Sequence, residues 1–209
     1  MTINFAINDK RKNKGNSIID FPCDYCVVDI ETTGLSPEWD NIIEIAAVKF
    51  SDGKIVDTFQ SLLQPLSFKG EVISVNEFIT KLTGITNQML ANAPKPKEVL
   101  TNFDKFLGNS IIVGYNVNFD INFLYDAFET YLNKDLCNDF IDVMRIARKL
   151  HPELAHHRLK DMVDLFELTN ENAHRAFSDC VATDACYKKL QYEVKKEYNS
   201  LSEFCNIFC

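Results

Sequence analysis

Apolar positions in the first third of the chain predict three consecutive β-strands. Residues 26–30 form a short apolar run with β-branched side chains, and an extended apolar pattern resumes over residues 41–50. The turn formers of residues 31–37 separate these runs, and Ser51-Asp-Gly-Lys54 predicts a hairpin into a third strand over residues 55–63. The chain is therefore expected to open with a β-meander.

Beyond the meander, helical spacing alternates with short apolar runs. Asn116 and Asn118 are predicted N-caps of a helix whose apolar side chains recur at i, i+3, i+4 and i+7 from Leu124 to Tyr131, forming one core-facing stripe. The elements predicted after the meander are, in chain order, helices over residues 74–84 and 97–107, a strand over 111–114, the striped helix, a strand at 140–141, helices over 142–150 and 159–166, and a final helix.

Three strands followed by alternating helices and short strands predict an α/β fold, with a mixed central β-sheet flanked by α-helices. A chain of 209 residues, 46% of them hydrophobic, can bury one sizeable core. We expect a flexible N-terminal segment over residues 1–24, one folded domain over residues 25–192 and a C-terminal tail over residues 193–209. The first residues are polar, and the last ones have no clear period.

The composition narrows the classes of function. A formal net charge of -8 argues against a protein that coats long duplexes, because such proteins need many Lys and Arg contacts to phosphates. A cation site that grips only one end of a nucleic acid is compatible with it. No run approaches the roughly 20 apolar residues of a membrane span, and no signal peptide is evident. The seven cysteines are scattered and odd in number, so we expect reduced thiols in a cytoplasmic protein.

Asp29 and Glu31 stand two residues apart at the end of the first predicted strand. The two-residue period of a strand places both side chains on one face, where two carboxylates repel each other unless a cation lies between them. A pair of solvated charges where a strand meets a loop is the alternative explanation.

Three further residues could complete a site. Asp120 follows a buried strand in the first turn of a helix, where helix capping is the alternative role. His174 is expected in a loop and Asp179 in the opening turns of the final helix; a surface histidine and a first-turn acid are the alternative there. Four acids from three separate elements near one sheet edge make coincidence the weaker explanation.

This ligand set indicates a metal-dependent reaction. All-oxygen ligands select Mg²⁺ or Mn²⁺ over zinc. Two such ions about 3.5–4 Å apart would activate a water on one side of a phosphodiester and stabilise the leaving oxygen on the other. Histidine is the most common general base, so His174 fits as the group that takes the proton of the water.

Three ordered motifs carry a resemblance to a known family. They are Val28-Asp-Ile-Glu-Thr-Thr-Gly34, Asn116-Val-Asn-Phe-Asp120 and His174-Arg-Ala-Phe-Ser-Asp179. They resemble the three exonuclease motifs of the DEDD superfamily. The histidine five residues before the last acid is similar to its His subtype, which includes the proofreading epsilon subunits of bacterial DNA polymerase III. The resemblance runs from about residue 25 to residue 190.

The resemblance implies a ribonuclease H-like fold, with two metal ions held by acids and with His174 as general base. The implied metal ligands are Asp29, Glu31, Asp120 and Asp179. Glu44, in the second predicted strand, could reach the site or could be a satisfied polar residue; the sequence leaves both open.

In such enzymes the stretch after the first acid pair lies along the terminal nucleotide. Thr32, Gly34 and Leu35 are therefore candidate substrate contacts, although a turn that closes the strand explains Thr32 and Gly34 as well. Phe123 could stack on a base, but its helical spacing favours a core aromatic. Asn116, in the second motif, is a further candidate contact.

The function expected from the motifs is a 3′-to-5′ exonuclease that releases nucleoside monophosphates from single-stranded DNA during proofreading or repair. An exoribonuclease that trims RNA ends is the first alternative, because no motif here specifies contacts to a 2′-hydroxyl. An inactive nuclease-like module that docks onto a polymerase is the second, and the complete acid set argues against it. A DNA polymerase subunit is a possible partner in either DNA role.

Overall fold

The computed structural model describes residues 11–170 and 172–206, which contain one six-stranded mixed sheet flanked by helices. The strands are β1 (Ser17–Ile18), β2 (Asp24–Thr32), β3 (Ile42–Ser51), β4 (Lys54–Leu62), β5 (Ile112–Gly114) and β6 (Phe140–Asp142). The helices are α1 (Glu77–Thr83), α2 (Asn87–Ala91), α3 (Pro96–Leu107), α4 (Asn118–Leu132), α5 (Val143–Leu150), α6 (Leu159–Leu165), α7 (Ala176–Glu197) and α8 (Leu201–Asn206).

The sheet order is β1-β6-β5-β2-β3-β4. The β2–β3–β4 meander is antiparallel, whereas β5 runs parallel to β2, and β6 and β1 continue in parallel from it. The carboxyl ends of β2 and β5 therefore meet at one edge of the sheet, as ligand sites in α/β folds require. The predicted mixed sheet and its opening meander are confirmed.

Strand β2 buries both of its faces, so its alternating residues belong to two different cores. Val27 packs into the core under α7, while Val28 packs into the core under α3 and α4. Because side chains alternate along a strand, Asp29 and Glu31 share the α7 side with Val27. The packing of β2 thus decides which helix the two acids meet.

The start of α4 differs from the prediction. Val117 occupies the N-cap position without a side-chain capping bond, so the predicted capping by Asn116 and Asn118 is wrong. Asn116 has a left-handed backbone with φ of 58°, and its N–H donates to Asp142 Oδ1 at 3.0 Å. The Asn118 side chain also hydrogen-bonds to Asp142. The strand-end acid Asp142 therefore holds the turn before α4.

Both ends of the chain are more ordered than expected within the described residues. Strand β1 extends the sheet from inside the segment predicted to be flexible, and Ile18 and Phe21 pack against the core. The predicted tail continues α7 to Glu197 and adds α8, whose Phe204 is fully buried against Tyr198. The side chains that make these contacts do not recur at the period of a helix or strand, so the sequence pattern did not indicate them. Residues 1–10 and 207–209, which were also included in these predictions, lie outside the described residues.

The helices of residues 11–170 and 172–206 fit within the layers of this fold. None of them is both long enough and apolar enough to cross a membrane.

Candidate active site

The carboxyl end of β2 brings two acids towards helix α7. Asp29 and Glu31 are partly buried and point to the same side of the sheet. Asp179, in the first turn of α7, approaches them from the helix that packs on this side of the sheet. One carboxylate oxygen from each of the three side chains lies within 4.8 Å of the other two. Such a spacing matches carboxylates that share a cation, because without one the like charges repel.

Asp120 joins this group from α4, where it is only 5% exposed. Its Oδ1 accepts a hydrogen bond from the Ile30 N–H at 3.1 Å, which ties it to β2 between the other two acids. The charge of Asp120 is also a cause, after burial, of the raised pKa of Asp29. The structure therefore brings three of the predicted acids within 4.8 Å of one another and places Asp120 beside β2, outside that group.

The environment of the four acids favours their neutral forms when no cation is present. Burial, followed by the charges of Asp179 and Glu44, raises the pKa of Glu31 to about 8. Burial likewise raises the pKa values of Asp29, Asp120 and Asp179. A divalent cation would reverse these shifts, because an opposite charge stabilises carboxylates. The oxygen-only donor set therefore fits Mg²⁺ or Mn²⁺.

His174 lies beside Asp179 at the edge of the acid group, and its side chain is exposed to solvent. Its backbone has φ of 65°, and its N–H donates to Asp179 Oδ2 at 3.1 Å. A left-handed backbone at a non-glycine residue costs about 1 kcal/mol or more and persists where surrounding contacts impose it. The hydrogen bond to Asp179 is one such contact, so the loop position of His174 is tied to the acid cluster.

Glu44 has a role that the sequence left open. It is 1% exposed, and Arg175 donates to both of its oxygens, at 2.8 and 3.2 Å. Gln60 and the Ala176 N–H donate to it as well. Although burial raises the pKa of Glu44, the hydrogen bonds from Arg175 and Gln60 lower it overall. Glu44 therefore anchors the start of α7, and an acid inside the apolar run of β3 was the available sequence signal that it has a buried partner.

Asn170 and Ser178 were missed entirely. Asn170 falls between the helix predicted over residues 159–166 and the predicted final helix, yet it is partly buried and donates to Asp179 Oδ1 at 2.6 Å. The Ser178 hydroxyl donates to Asn170 Oδ1 at 2.6 Å. No residue pattern distinguishes such a contact, because asparagine and serine are common in any polar loop.

The predicted substrate contacts near β2 occupy a turn beside the acids. The Thr32 hydroxyl donates to the Gly34 carbonyl at 2.6 Å. A Cβ atom on Gly34 would lie 2.5 Å from both carboxylate oxygens of Asp40, so a larger residue here would require the Asp40 side chain to move. Leu35 follows with 85% of its surface exposed. The turn thus presents Leu35 to solvent directly after the acid pair.

The two predicted contacts on the α4 side differ in accessibility, because Phe123 is buried whereas Asn116 is exposed. Phe123 is 3% exposed and its ring centroid lies 4.9 Å from that of Phe119, in agreement with the core alternative. Phe123 also lines a groove of about 530 Å³ whose rim includes Trp39 and Phe68. Asn116 engages Asp142 through its backbone, as described above.

The acids and His174 all fall inside a segment that matches a known protein family. Residues 26–187 match the sequence profile of the RNase T family, described as exonuclease. The chain belongs to this exonuclease family. The family match covers three quarters of the chain, and the resemblance to DEDD exonucleases is confirmed by it.

Relatives in sequence of this exonuclease domain are much longer proteins. The PolC-type DNA polymerase III of Latilactobacillus sakei is 36% identical over 179 residues, which cover 86% of this chain and 12% of the polymerase. The PolC-type DNA polymerase III of Bacillus subtilis is 37% identical over 178 residues, which cover 80% of this chain and 12% of the polymerase. The chain therefore spans about an eighth of the length of these relatives.

Solved structures with the same fold are nucleases. Exonuclease X in complex with 5′ overhanging duplex DNA has a TM-score of 0.66 at 23% identity, covering 88% of this chain and 98% of that one. E. coli Exonuclease I in complex with a dT13 oligonucleotide has a TM-score of 0.70 at 20% identity, covering 84% of this chain and 42% of that one. These similarities confirm the ribonuclease H-like fold of the exonuclease domain.

Proposed function

We propose that this chain is a 3′-to-5′ exonuclease that releases nucleoside monophosphates from the 3′ end of single-stranded DNA. The observation that carries the proposal is the group formed by carboxylate oxygens of Asp29, Glu31 and Asp179 within 4.8 Å, beside the buried Asp120. DNA is favoured over RNA because the relatives are DNA polymerases and the similar structures of Exonuclease X and Exonuclease I contain DNA.

The four acids would hold two divalent cations, Mg²⁺ or Mn²⁺. Cations bound there would activate water and would neutralise the charge that develops on the phosphodiester and on the leaving oxygen. Asp29 and Glu31 approach from β2, Asp179 from α7 and Asp120 from α4, so three rigid elements fix the ligand positions. Cations held there would orient a substrate phosphate, which is compatible with the net charge of -8.

His174 would act as the general base. Its exposure leaves the ring accessible to a water at the substrate, and the hydrogen bond from its backbone to Asp179 keeps it beside the acids. The ring takes a proton as the water attacks phosphorus. The bond between phosphorus and the 3′ oxygen of the penultimate nucleotide breaks, and that oxygen takes a proton from solvent. The products are a 3′-hydroxyl on the shortened strand and a free nucleoside monophosphate.

The turn after β2 would bind the terminal nucleotide. Leu35 is exposed and can lie against the last base, while Thr32 and Gly34 hold the turn that presents it. Apolar contact of this kind accepts every base, as a proofreading enzyme requires. The polymerase context of the relatives supports action beside a DNA polymerase subunit.

The test is digestion of two oligonucleotides of equal sequence, one DNA and one RNA, each labelled at its 5′ end, in Mg²⁺, Mn²⁺ or chelator. We expect a ladder that shrinks from the 3′ end only with metal, and faster on DNA. Asp179→Asn should remove the ladder, and Asp164→Asn, which changes an exposed acid on α6, should retain it. Faster digestion of RNA would reassign the substrate, and digestion in chelator would refute the metal mechanism.

A further inference from the structure

Two residues of the segment that precedes α7 donate hydrogen bonds to the two carboxylate oxygens of Asp179. Asn170 Nδ2 donates to Asp179 Oδ1 at 2.6 Å, and the His174 N–H donates to Asp179 Oδ2 at 3.1 Å. Residues 170 and 174 thus bind one carboxylate from two sides. Asp179 is also one of the three acids whose oxygens lie within 4.8 Å of one another, so the contact joins a loop to the proposed metal ligands.

The orientation of the Asn170 amide is defined by its two partners. The carboxylate of Asp179 only accepts hydrogen bonds, so the amide NH₂ faces it. The Ser178 hydroxyl donates to the amide oxygen at 2.6 Å, which fixes the opposite end. Ser178 lies on α7 one residue before Asp179. The Asn170 side chain therefore uses both its NH₂ donor and its oxygen acceptor. Among side chains of this length, an amide provides both groups.

We propose that Asn170 is a positioning residue, which orients Asp179 for the cation and holds the His174 segment against α7. The proposal rests on the exonuclease function proposed above. Each carboxylate oxygen has two lone-pair positions, so Oδ1 of Asp179 can accept the amide and still bind a cation. Partners that orient metal ligands typically change metal affinity or activity 10- to 100-fold when they are removed.

A second anchor makes the effect of Asn170 separable from folding. Arg175, directly after His174, is bound to Glu44 of β3 at 2.8 Å. The segment therefore stays attached to the sheet at residue 175 when its attachment at residue 170 is lost. Loss of Asn170 should release Asp179 Oδ1 and the loop start, while α7 and the core beneath it remain in place.

The experiment compares Asn170→Ala, Ser178→Ala and the control Asn172→Ala, which alters an exposed residue of the same loop. Isothermal titration of the DNA-free protein with Mn²⁺ measures metal affinity, and single-strand digestion gives kcat and KM separately. For Asn170→Ala we expect Mn²⁺ affinity and kcat each to fall about 10- to 100-fold, with KM for DNA unchanged. Ser178→Ala should change both in the same direction by less, and Asn172→Ala should match the parent.

Three results would overturn the proposal: parental Mn²⁺ affinity in Asn170→Ala, a rise in KM without loss of affinity, or an equal loss in Asn172→Ala. If Asn170→Ala does not fold, as judged by circular dichroism, the comparison of Ser178→Ala with the parent decides. A parent that binds Mn²⁺ but digests no strand refutes the exonuclease function, and the titrations then still measure whether Asn170 positions Asp179.

Discussion

Glu31 of β2 and Glu44 of β3 face each other across the antiparallel ladder, yet their pKa values shift in opposite directions. Burial and the charges of Asp179 and Glu44 raise the pKa of Glu31 to about 8. Burial also raises the pKa of Glu44, but hydrogen bonds from Arg175 and Gln60 outweigh it and lower the value. Arg175 therefore balances the negative charge of Glu44 on β3, whereas ionised Glu31 on the neighbouring strand β2 requires a cation.

The loss in the free energy of unfolding should depend on which partner of the Glu44–Arg175 ion pair is substituted. Arg175→Ala leaves a carboxylate that is 1% exposed without its cationic partner, so we expect a loss of about 3 kcal/mol in the free energy of unfolding. Glu44→Gln leaves an arginine side chain that is 37% exposed and can be hydrated, so about 1 kcal/mol is expected. Urea denaturation measures both, and equal losses would contradict this assignment.

Stability should depend on pH through Glu31 when chelator is present. Its folded pKa of about 8 is raised above the ordinary 4.5, so the folded protein binds the extra proton. The contribution of Glu31 is full below pH 4.5 and is lost as the pH rises towards 8. Thermal unfolding in chelator should therefore show a falling midpoint over this range. Glu31→Gln should reduce the slope, and an unchanged slope would assign it to other groups.

Removal of one acid should stabilise the metal-free fold while it abolishes activity. Asp29→Asn removes a charge that burial and Asp120 destabilise, so the free energy of unfolding in chelator should rise by about 1 kcal/mol. The same variant should lose the increase in unfolding midpoint that Mn²⁺ gives the parent. Asp164→Asn provides the control. A destabilised Asp29→Asn protein would show that the carboxylate makes a structural contribution instead.

Elements that depend on local sequence patterns were predictable, whereas contacts between residues far apart in the chain were not. The strand containing Asp29 and Glu31 was predictable, because its apolar run and period of two are local properties. Strand β1 was not, since two residues carry no period and their stability comes from pairing with β6. The contact from Glu44 to Arg175 spans 131 positions, and nothing local specifies it. Hydrophobic patterning therefore predicted the layers and missed the side chains that brace the site.

Substitution of His174 should affect the reaction and leave stability unchanged. His174→Asn tolerates the left-handed backbone and removes the base, so kcat should fall about 10²- to 10⁴-fold. The unfolding midpoint and the Mn²⁺ affinity should remain parental, because the side chain is exposed and is not a proposed ligand. His156→Ala, another exposed histidine, serves as the control in the same assays. Retention of kcat in His174→Asn would require another base.

Shortening Leu35 should weaken substrate binding. Leu35→Ala removes apolar surface that is 85% exposed in the free protein, so its cost should appear only when a nucleotide covers it. We expect KM for single-stranded DNA to rise about 10-fold, which corresponds to roughly 1.4 kcal/mol, without change in the unfolding midpoint. Val56→Ala, on the exposed edge strand β4, is the matched control. Equal effects of the two substitutions would exclude Leu35 from the nucleotide site.

The ladder between β2 and β3 changes register immediately beyond the acid pair, from Glu31–Glu44 to Thr32–Ile42, so that Ile43 is an extra residue on β3. A slip of one residue normally turns every side chain along a strand to the opposite face. The bulge interrupts that propagation, because residues on its two sides are already out of phase. Eight residue pairs, from Asp24–Ser51 to Glu31–Glu44, hold the acids in register on the other side of the bulge, so a change of length in the turn after Thr32 should leave Asp29 and Glu31 on the α7 face.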